Sequence, residues 1–178
     1  TAHTTPFIFM KTAIVGNCVT TIGYGAFYNC FALTSVTIPN SVTAINEKAF
    51  FGCSGLTSII LPDSIVTIER MAFLECRSLI TVSLPNGLTS VSDFLFRQCT
   101  SLKTAIIPST VTSIGDYVFE SCTSLKSIKV LATTPPSITY SFIDYTNNCI
   151  IYVPSGSVET YKSHRIWGAY PDRIQPIS

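Results

Sequence analysis

Apolar positions along this chain repeat on a step of 23 residues, carried by Phe27, Phe50, Phe73, Phe96, Phe119 and Phe142. The same step takes Cys30 to Cys53, Cys76, Cys99 and Cys122, and Leu33 to Leu56, Leu79, Leu102 and Leu125. Further columns run through Pro39, Pro62, Pro85 and Pro108, through Ile22, Ile45, Ile68, Val91 and Ile114, and through Val36, Ile59, Val82, Ala105 and Ile128. The unit is I-x3-A-F-x2-C-x2-L-x2-V-x-I-P-x2-V-x2-I, and self-similarity at such a period marks a stacked repeat architecture.

Each unit predicts one short strand. In LTSVTIP, Val36 and Ile38 alternate with hydroxyl residues and a proline follows, which reads as an extended segment stopped by Pro. The remainder, as in NSVTAINEKAFFGCSG, spaces its apolar groups too irregularly for a three-turn helix. It predicts a second tight extended stretch and a 3₁₀ or single helical turn around the Ala-Phe pair. No unit can bury its own apolar face, so units must stack at the ~4.8 Å strand spacing with identical positions in ladders.

The sixth unit looks degenerate. Phe142 stays in phase, but Tyr145 stands in the Cys column and Asn148 in the Leu column, so this unit is expected to be an edge. Its strand persists, since Ile151, Val153 and Pro154 fall on the columns of Val36, Ile38 and Pro39. Beyond it, VPSGSVETYKSHRIWGAYPDRIQPIS predicts a terminal cap with a Ser157 N-cap, a short helix to about Lys162, the only Trp and a last strand in DRIQPI. At the other end Ile14, Val15, Val19 and Ile22 make a partial unit and TAHTTPFIFM offers no amphipathic cap. The natural protein is therefore expected to continue, or to be blocked, on that side. The expected organisation is a truncated or processed lead-in at 1–12, a solenoid of about six units at 13–154, and a cap at 155–178.

Composition narrows the function. Of 178 residues, 12% are charged, about half the usual share, so the 23 Thr and 21 Ser must wet the surface. A net charge of +1 lacks the basic footprint of a nucleic-acid partner or a polybasic membrane anchor. Mean hydropathy is high at +0.42, yet Pro, Thr, Ser and Asn interrupt every apolar run before the ~18 residues a transmembrane segment needs. No export signal is visible from Thr1, which leaves secretion open.

The unit L-x2-V-x-I-P-x2-V-x2-I-x4-F-x2-C resembles the BspA-like class of leucine-rich repeats over roughly residues 13 to 154. The tail YVPSGSVETYKSHRIWGAY resembles the terminal module of such bacterial proteins. The resemblance implies a fold that is α/β by class and β-rich: a right-handed leucine-rich-repeat solenoid with short parallel strands and a C-terminal cap. It also implies a secreted or cell-surface location and, for some members, adhesion to host matrix proteins or to other cells.

Candidate chemistry is thin. The cysteine ladder reads either as a metal or redox stripe or as a small hydrophobe recurring at a crowded bend; without C-x2-C pairs and with only His3 and His164, buried free thiols are expected. Parallel stacking points neighbouring side chains the same way, against the disulfide torsion. Cys18 and Cys149 lie off the ladder and are the candidate reactive thiols. Cys149 with His164 would make a nucleophile and base, though no orienting residue or oxyanion hole accompanies them. Glu47, Asp93 and Asp116 share a column with Arg70, a solvated charge ladder rather than a catalytic acid pair. No phosphate loop, H-E-x-x-H or G-x-S-x-G occurs, so no catalytic residue, metal or cofactor is assigned.

What remains is surface. Outward strand positions place Ser35, Ser58, Thr81, Thr104 and Ser127 in one column and Thr37, Ile60, Ser83, Ile106, Lys129 and Tyr152 in the next. Lys103 and Lys126 stack beside them and form a basic corner with Lys129. These residues make a candidate platform for an acidic peptide or a glycan carboxylate; the alternative is a solvated sheet with incidental lysines. A second column, Tyr28, Phe51 and Leu74, turning to Arg97 and Glu120, is either a partner patch or a packing surface. The function expected is non-catalytic, adhesin-like recognition of a protein or glycan, the alternative being a spacer or display module without a ligand of its own.

Overall fold

Alternating β-branched residues next to prolines produce short strands that can only pair with the same segment one unit on, and the chain winds accordingly. The structure, a computed structural model, describes residues 9–177. The first eight residues of the expected lead-in lie outside the described residues. The chain is a parallel-strand solenoid of about seven turns with little helix. One face carries β1 (Thr12–Ile14), β3 (Ser35–Thr37), β6 (Thr81–Ser83), β8 (Thr104–Ile107), β10 (Ser127–Val130), β12 (Ile150–Val153) and β13 (Ile174–Pro176). A second line holds the two-residue strands β2 (Thr21–Ile22), β4 (Ala44–Ile45), β5 (Thr67–Ile68), β7 (Ser90–Val91), β9 (Ser113–Ile114) and β11 (Ser137–Ile138).

Between the two lines runs the core. Phe50, Phe73, Phe96 and Phe119 are fully buried beside the Leu and Cys columns. Phe27 and Phe50 stack with ring centroids 4.9 Å apart, and the spacing widens to 5.6 Å between Phe96 and Phe119. Each buried aromatic ring of this size contributes through area removed from water and through contact with the ring above and below.

The bend around Ala-Phe is not a 3₁₀ helix. It consists of tight turns in which the Leu74 N–H meets the Met71 carbonyl and the Cys76 N–H meets the Phe73 carbonyl, both at 3.2 Å. Left-handed residues punctuate it on two columns, Gly25, Lys48, Met71, Phe94 and Tyr117 on one and Asn29, Gly52, Glu75, Gln98 and Ser121 on the other. A left-handed residue every fourth position stops a helix from propagating. At Gly52 the Asn29 side chain of the preceding coil fills the place a Cβ would take, and glycine meets the left-handed φ of 70° without a Cβ penalty.

One strand per unit does not hold everywhere. Residues 58–61 form no strand, which separates β1 and β3 from the five-stranded run β6, β8, β10, β12 and β13. The second line also opens, between β5 and β7. There the Ser92 hydroxyl takes the Ile68 carbonyl at 2.6 Å, a role filled in earlier coils by the backbone N–H of Asn46 and Glu69. In the same coil Gly87 replaces the hydroxyl residues Ser41 and Ser64, which bond the preceding coil's backbone at 2.7 and 2.8 Å. A Cβ at Gly87 would sit 2.8 Å from the Asp63 carbonyl, so the backbones approach closely where that hydroxyl is missing.

The last coil corrects the sequence reading of a degenerate edge. Strand partners are 23 residues apart throughout, except that Ser113 faces Ser137 and Ile114 faces Ile138. This one-residue insertion shifts the residues after it by one place. Thr146 N–H bonds the Ile143 carbonyl as Cys122 N–H bonds that of Phe119, and Tyr145 takes the left-handed conformation of Ser121. Ile143, Thr146 and Cys149 therefore occupy the Phe, Cys and Leu places, and all three are buried while Tyr145 and Asn148 are exposed. The register is recovered by Ile150, which again faces Ser127.

The C-terminal segment packs on the last coil, and one of its expected features is absent. The helix α1 spans Val158–Ser163 and β13 pairs with β12. Ser157 precedes α1 but makes no side-chain cap, because the 3₁₀ turn Ser155–Ser157 brings it in at φ −108°, ψ −3° rather than in the extended conformation a cap needs. Trp167 and Tyr161 are fully buried against the last coil. Each satisfies its polar tip on the coil's backbone at 2.8 Å, Trp167 Nε1 to the Pro136 carbonyl and the Tyr161 hydroxyl to that of Ala132.

Candidate functional site

The pleat turns alternate strand side chains out of the solenoid, and Lys103 and Lys126 precede β8 and β10 by one residue, so every residue of the proposed platform is exposed or half-buried. Ser35, Thr37, Ser58, Ile60, Thr81, Ser83, Lys103, Thr104, Lys126 and Lys129 are exposed, and Ile106, Ser127 and Tyr152 are half-buried. Lys129 lies between Ile106 and Tyr152 in register, and Ser83 lies beyond Ile106. Ile60 is 83% exposed, far out for its side chain. Where the strand is missing, a groove of about 330 Å³ opens, lined among others by Ile60, Ser83, Ile106 and Leu131. Asp63 borders it, but its carboxylate is engaged by Asn86 through the backbone N–H at 2.8 Å and the side-chain amide.

Lys103 and Lys126 lie in one column, linked by a 2.9 Å bond from the Lys126 N–H to the Lys103 carbonyl. The column begins at Lys11, whose carbonyl accepts the Thr34 N–H at 2.8 Å. Sequence reasoning missed Lys11 because the partial first unit hid its phase; it stands 23 residues before Thr34. Among the described residues the ion pairs are Lys48 and Arg70 with Glu47, Arg77 with Glu75, and Arg97 with Glu120. None of them involves a lysine of the sheet face.

The opposite, turn edge is occupied by its own contacts. Glu47 is held below the usual carboxylate range by the Arg70 guanidinium and then by Lys48. Asp93 accepts the Asp116 N–H at 2.8 Å, and Asp116 accepts that of Tyr140 at 3.1 Å. In the acidic column Asp93 is exposed and Glu47 and Asp116 are half-buried, and Asp93 and Asp116 each staple their coil to the next. Tyr28 and Phe51 stack at 4.9 Å, Leu74 is buried, and Arg97 lies over the Phe94 ring, itself stacked on Tyr117 at 5.5 Å. A concavity of about 500 Å³ opens at the first described coil, among Met10, Ile14, Val19 and Phe27.

The five ladder thiols are buried and free. Burial pushes Cys53 and Cys122 up to about 12, and Cys76 and Cys99 well above the ordinary thiol value. Cys149 does not behave as a candidate nucleophile. It is buried in the leucine place, and burial pushes its thiol up to about 12. His164 terminates α1, with Nδ1 accepting the Ile166 N–H at 3.3 Å. Among the described residues, no three His, Cys, Asp or Glu side chains are grouped to hold a metal ion, and no helix is long and apolar enough to cross a membrane.

Comparison with known proteins agrees with this geometry. No curated protein matches the chain. Among solved structures it is similar to a leucine-rich repeat protein of T. pallidum, with 29% identity and a TM-score of 0.65 over 68% of this chain and 60% of that one. It shares the fold of the pneumococcal vaccine antigen PcpA, with 18% identity and a TM-score of 0.73 over 94% of this chain and 42% of that one. A leucine-rich repeat protein from Eubacterium ventriosum gives 20% identity and a TM-score of 0.64 over 76% and 43% of the two chains. The chain thus spans 42 to 60% of the length of these relatives. The family described as BspA type leucine-rich repeat region matches residues 20–151 in six copies. With its buried Phe, Cys and Leu ladders on that same repeat, the chain belongs to the BspA-type leucine-rich repeat family.

Proposed function

We propose that this chain is a non-catalytic, adhesin-like recognition module of a secreted or cell-surface protein, and that its sheet face binds a protein or glycan. The observation carrying this reading is a division of the surface: the turn edge uses its charges on its own backbone and on one another, whereas the sheet face leaves hydroxyls, exposed Ile60 and lysines uncommitted. A floor of short hydroxyls with a few apolar groups is a surface that a partner can desolvate at modest cost. The surface location rests on what the BspA-type repeat resemblance implies.

The test is capture on peptide and glycan arrays by the wild type and two multiple variants. One variant carries Thr37→Ala, Ile60→Ser, Ile106→Ser and Tyr152→Ser; the other carries Arg70→Ala, Phe94→Ala and Tyr117→Ala on the turn edge. Specific capture lost only in the sheet-face variant supports the proposal. Capture lost only in the turn-edge variant, or in neither, contradicts it, and absence of any capture favours a display module.

A further inference from the structure

We propose that the ligand of the sheet face is an acidic, extended peptide segment of a partner protein that also carries an apolar side chain; this rests on the reading of that face as the binding surface. Charge is the first argument. Acids and bases nearly balance over the chain, yet residues 11–15, 34–38, 57–61, 80–84, 103–107, 126–130 and 149–153 contain Lys11, Lys103, Lys126 and Lys129 and not one Asp or Glu. With a total of +1, the rest of the chain is net −3. Each ion pair among the described residues uses Lys48, Arg70, Arg77 or Arg97, so the sheet lysines are the uncompensated cations of this face. Such a one-signed surface attracts an anionic partner and repels a cationic one.

Geometry narrows the anion. Lys103 and Lys126 are on neighbouring coils, about 4.8 Å apart, just before β8 and β10, and Lys129 within β10 is three residues further along the chain, about 10 Å away. An extended peptide repeats its side chains on one face every ~7 Å, so two carboxylates of one segment fall within reach of these flexible ammonium arms. A groove of about 330 Å³ opens next to Lys129, which pairs in register with Ile106; Ile60, Ile106 and Leu131 wall it, and Asp63, whose carboxylate is engaged by Asn86, stands at its border. Aliphatic walls suit a Leu, Ile or Phe side chain. Sugar rings stack on flat aromatic faces, and Tyr152 is the single aromatic residue in the two outward columns. The observations therefore favour a peptide over a carboxylated glycan.

The experiment exposes the wild-type chain to an array of random twelve-residue peptides and, in parallel, to polygalacturonate and hyaluronate. Captured peptides should be enriched in sequences with at least two carboxylates and one large apolar residue. The strongest is then titrated by fluorescence anisotropy. Affinity should fall at least tenfold in the Lys103→Ala, Lys126→Ala, Lys129→Ala variant and in Ile60→Ser, Ile106→Ser, weaken steadily with added salt, and stay unchanged in Lys48→Ala. Capture insensitive to the lysine variant but lost in the isoleucine variant overturns the acidic ligand and leaves the sheet-face reading standing. Capture insensitive to both overturns both. Selective capture of the polyanionic glycans, or of neither class, overturns the peptide assignment.

Discussion

The thiol of Cys76 donates to the carbonyl of Phe50, one coil back, at 3.2 Å, and that carbonyl also accepts the Cys53 N–H at 3.1 Å. The relationship repeats from Cys53 to Phe27, Cys99 to Phe73 and Cys122 to Phe96 at 3.1 to 3.2 Å. Both lone pairs of each carbonyl are used, one within the coil and one between coils. A cysteine suits this place because it is small, apolar and still a weak donor. Cys76→Ala is expected to cost about 1–2 kcal/mol, read from the chemical-denaturation midpoint; an unchanged midpoint would show the thiol contact to be incidental.

The same burial makes stability depend on alkaline pH. Burial pushes folded Cys53, Cys122 and Cys149 up to about 12 and holds Cys76 and Cys99 well above the ordinary thiol value, whereas unfolded thiols titrate near ~8.5. Above ~8.5 the unfolded chain holds fewer protons than the folded one, so their contribution, fully present below that pH, is lost as pH rises toward 12 at up to ~1.4 kcal/mol per unit for each thiol. The melting temperature should fall between pH 8.5 and 11, and Cys99→Ala should flatten the slope. Curves of equal slope would contradict the assignment.

Thiol labelling separates the classes directly. Cys18 is exposed and the other six cysteines are buried, so maleimide should modify one thiol in the native protein and seven in denaturant. Rapid native labelling of Cys149 would place it outside the leucine ladder.

Phe142 tests the last coil. Its ring meets Phe119 edge-on at 6.5 Å and Trp167 at 5.0 Å, so the cap covers what would otherwise be an end. Phe142→Ala and Phe73→Ala should both cost about 3–5 kcal/mol in denaturation experiments. A loss at Phe142 of under about 1 kcal/mol would show the cap to be undocked.

The solenoid was legible because identical spacing becomes identical place: Phe50, Cys53 and Leu56 are buried where their counterparts are. The final register was not legible, since the insertion before Ile138 is undone before Ile150 and leaves Phe142 in numerical phase. By that phase Tyr145 and Asn148 read as core losses, whereas Thr146 and Cys149 take those places. The gap at residues 58–61 carries the same apolar pattern as the paired strands, and nothing in the structure explains it. Of the platform, the outward direction of the strand positions followed from the pleat, whereas only the structure shows that the ion pairs among the described residues leave Lys103, Lys126 and Lys129 aside.

Acetylation footprinting tests the sheet face without altering it. The full chain is treated with an amine-reactive acetylating reagent, free and saturated with its captured ligand, and modification is read by mass spectrometry. The account predicts that Lys103, Lys126 and Lys129 are protected at least tenfold by ligand while Lys48 and Lys162 are unchanged. Protection of Lys48 with the three sheet lysines still reactive would put the binding surface on the turn edge and contradict it.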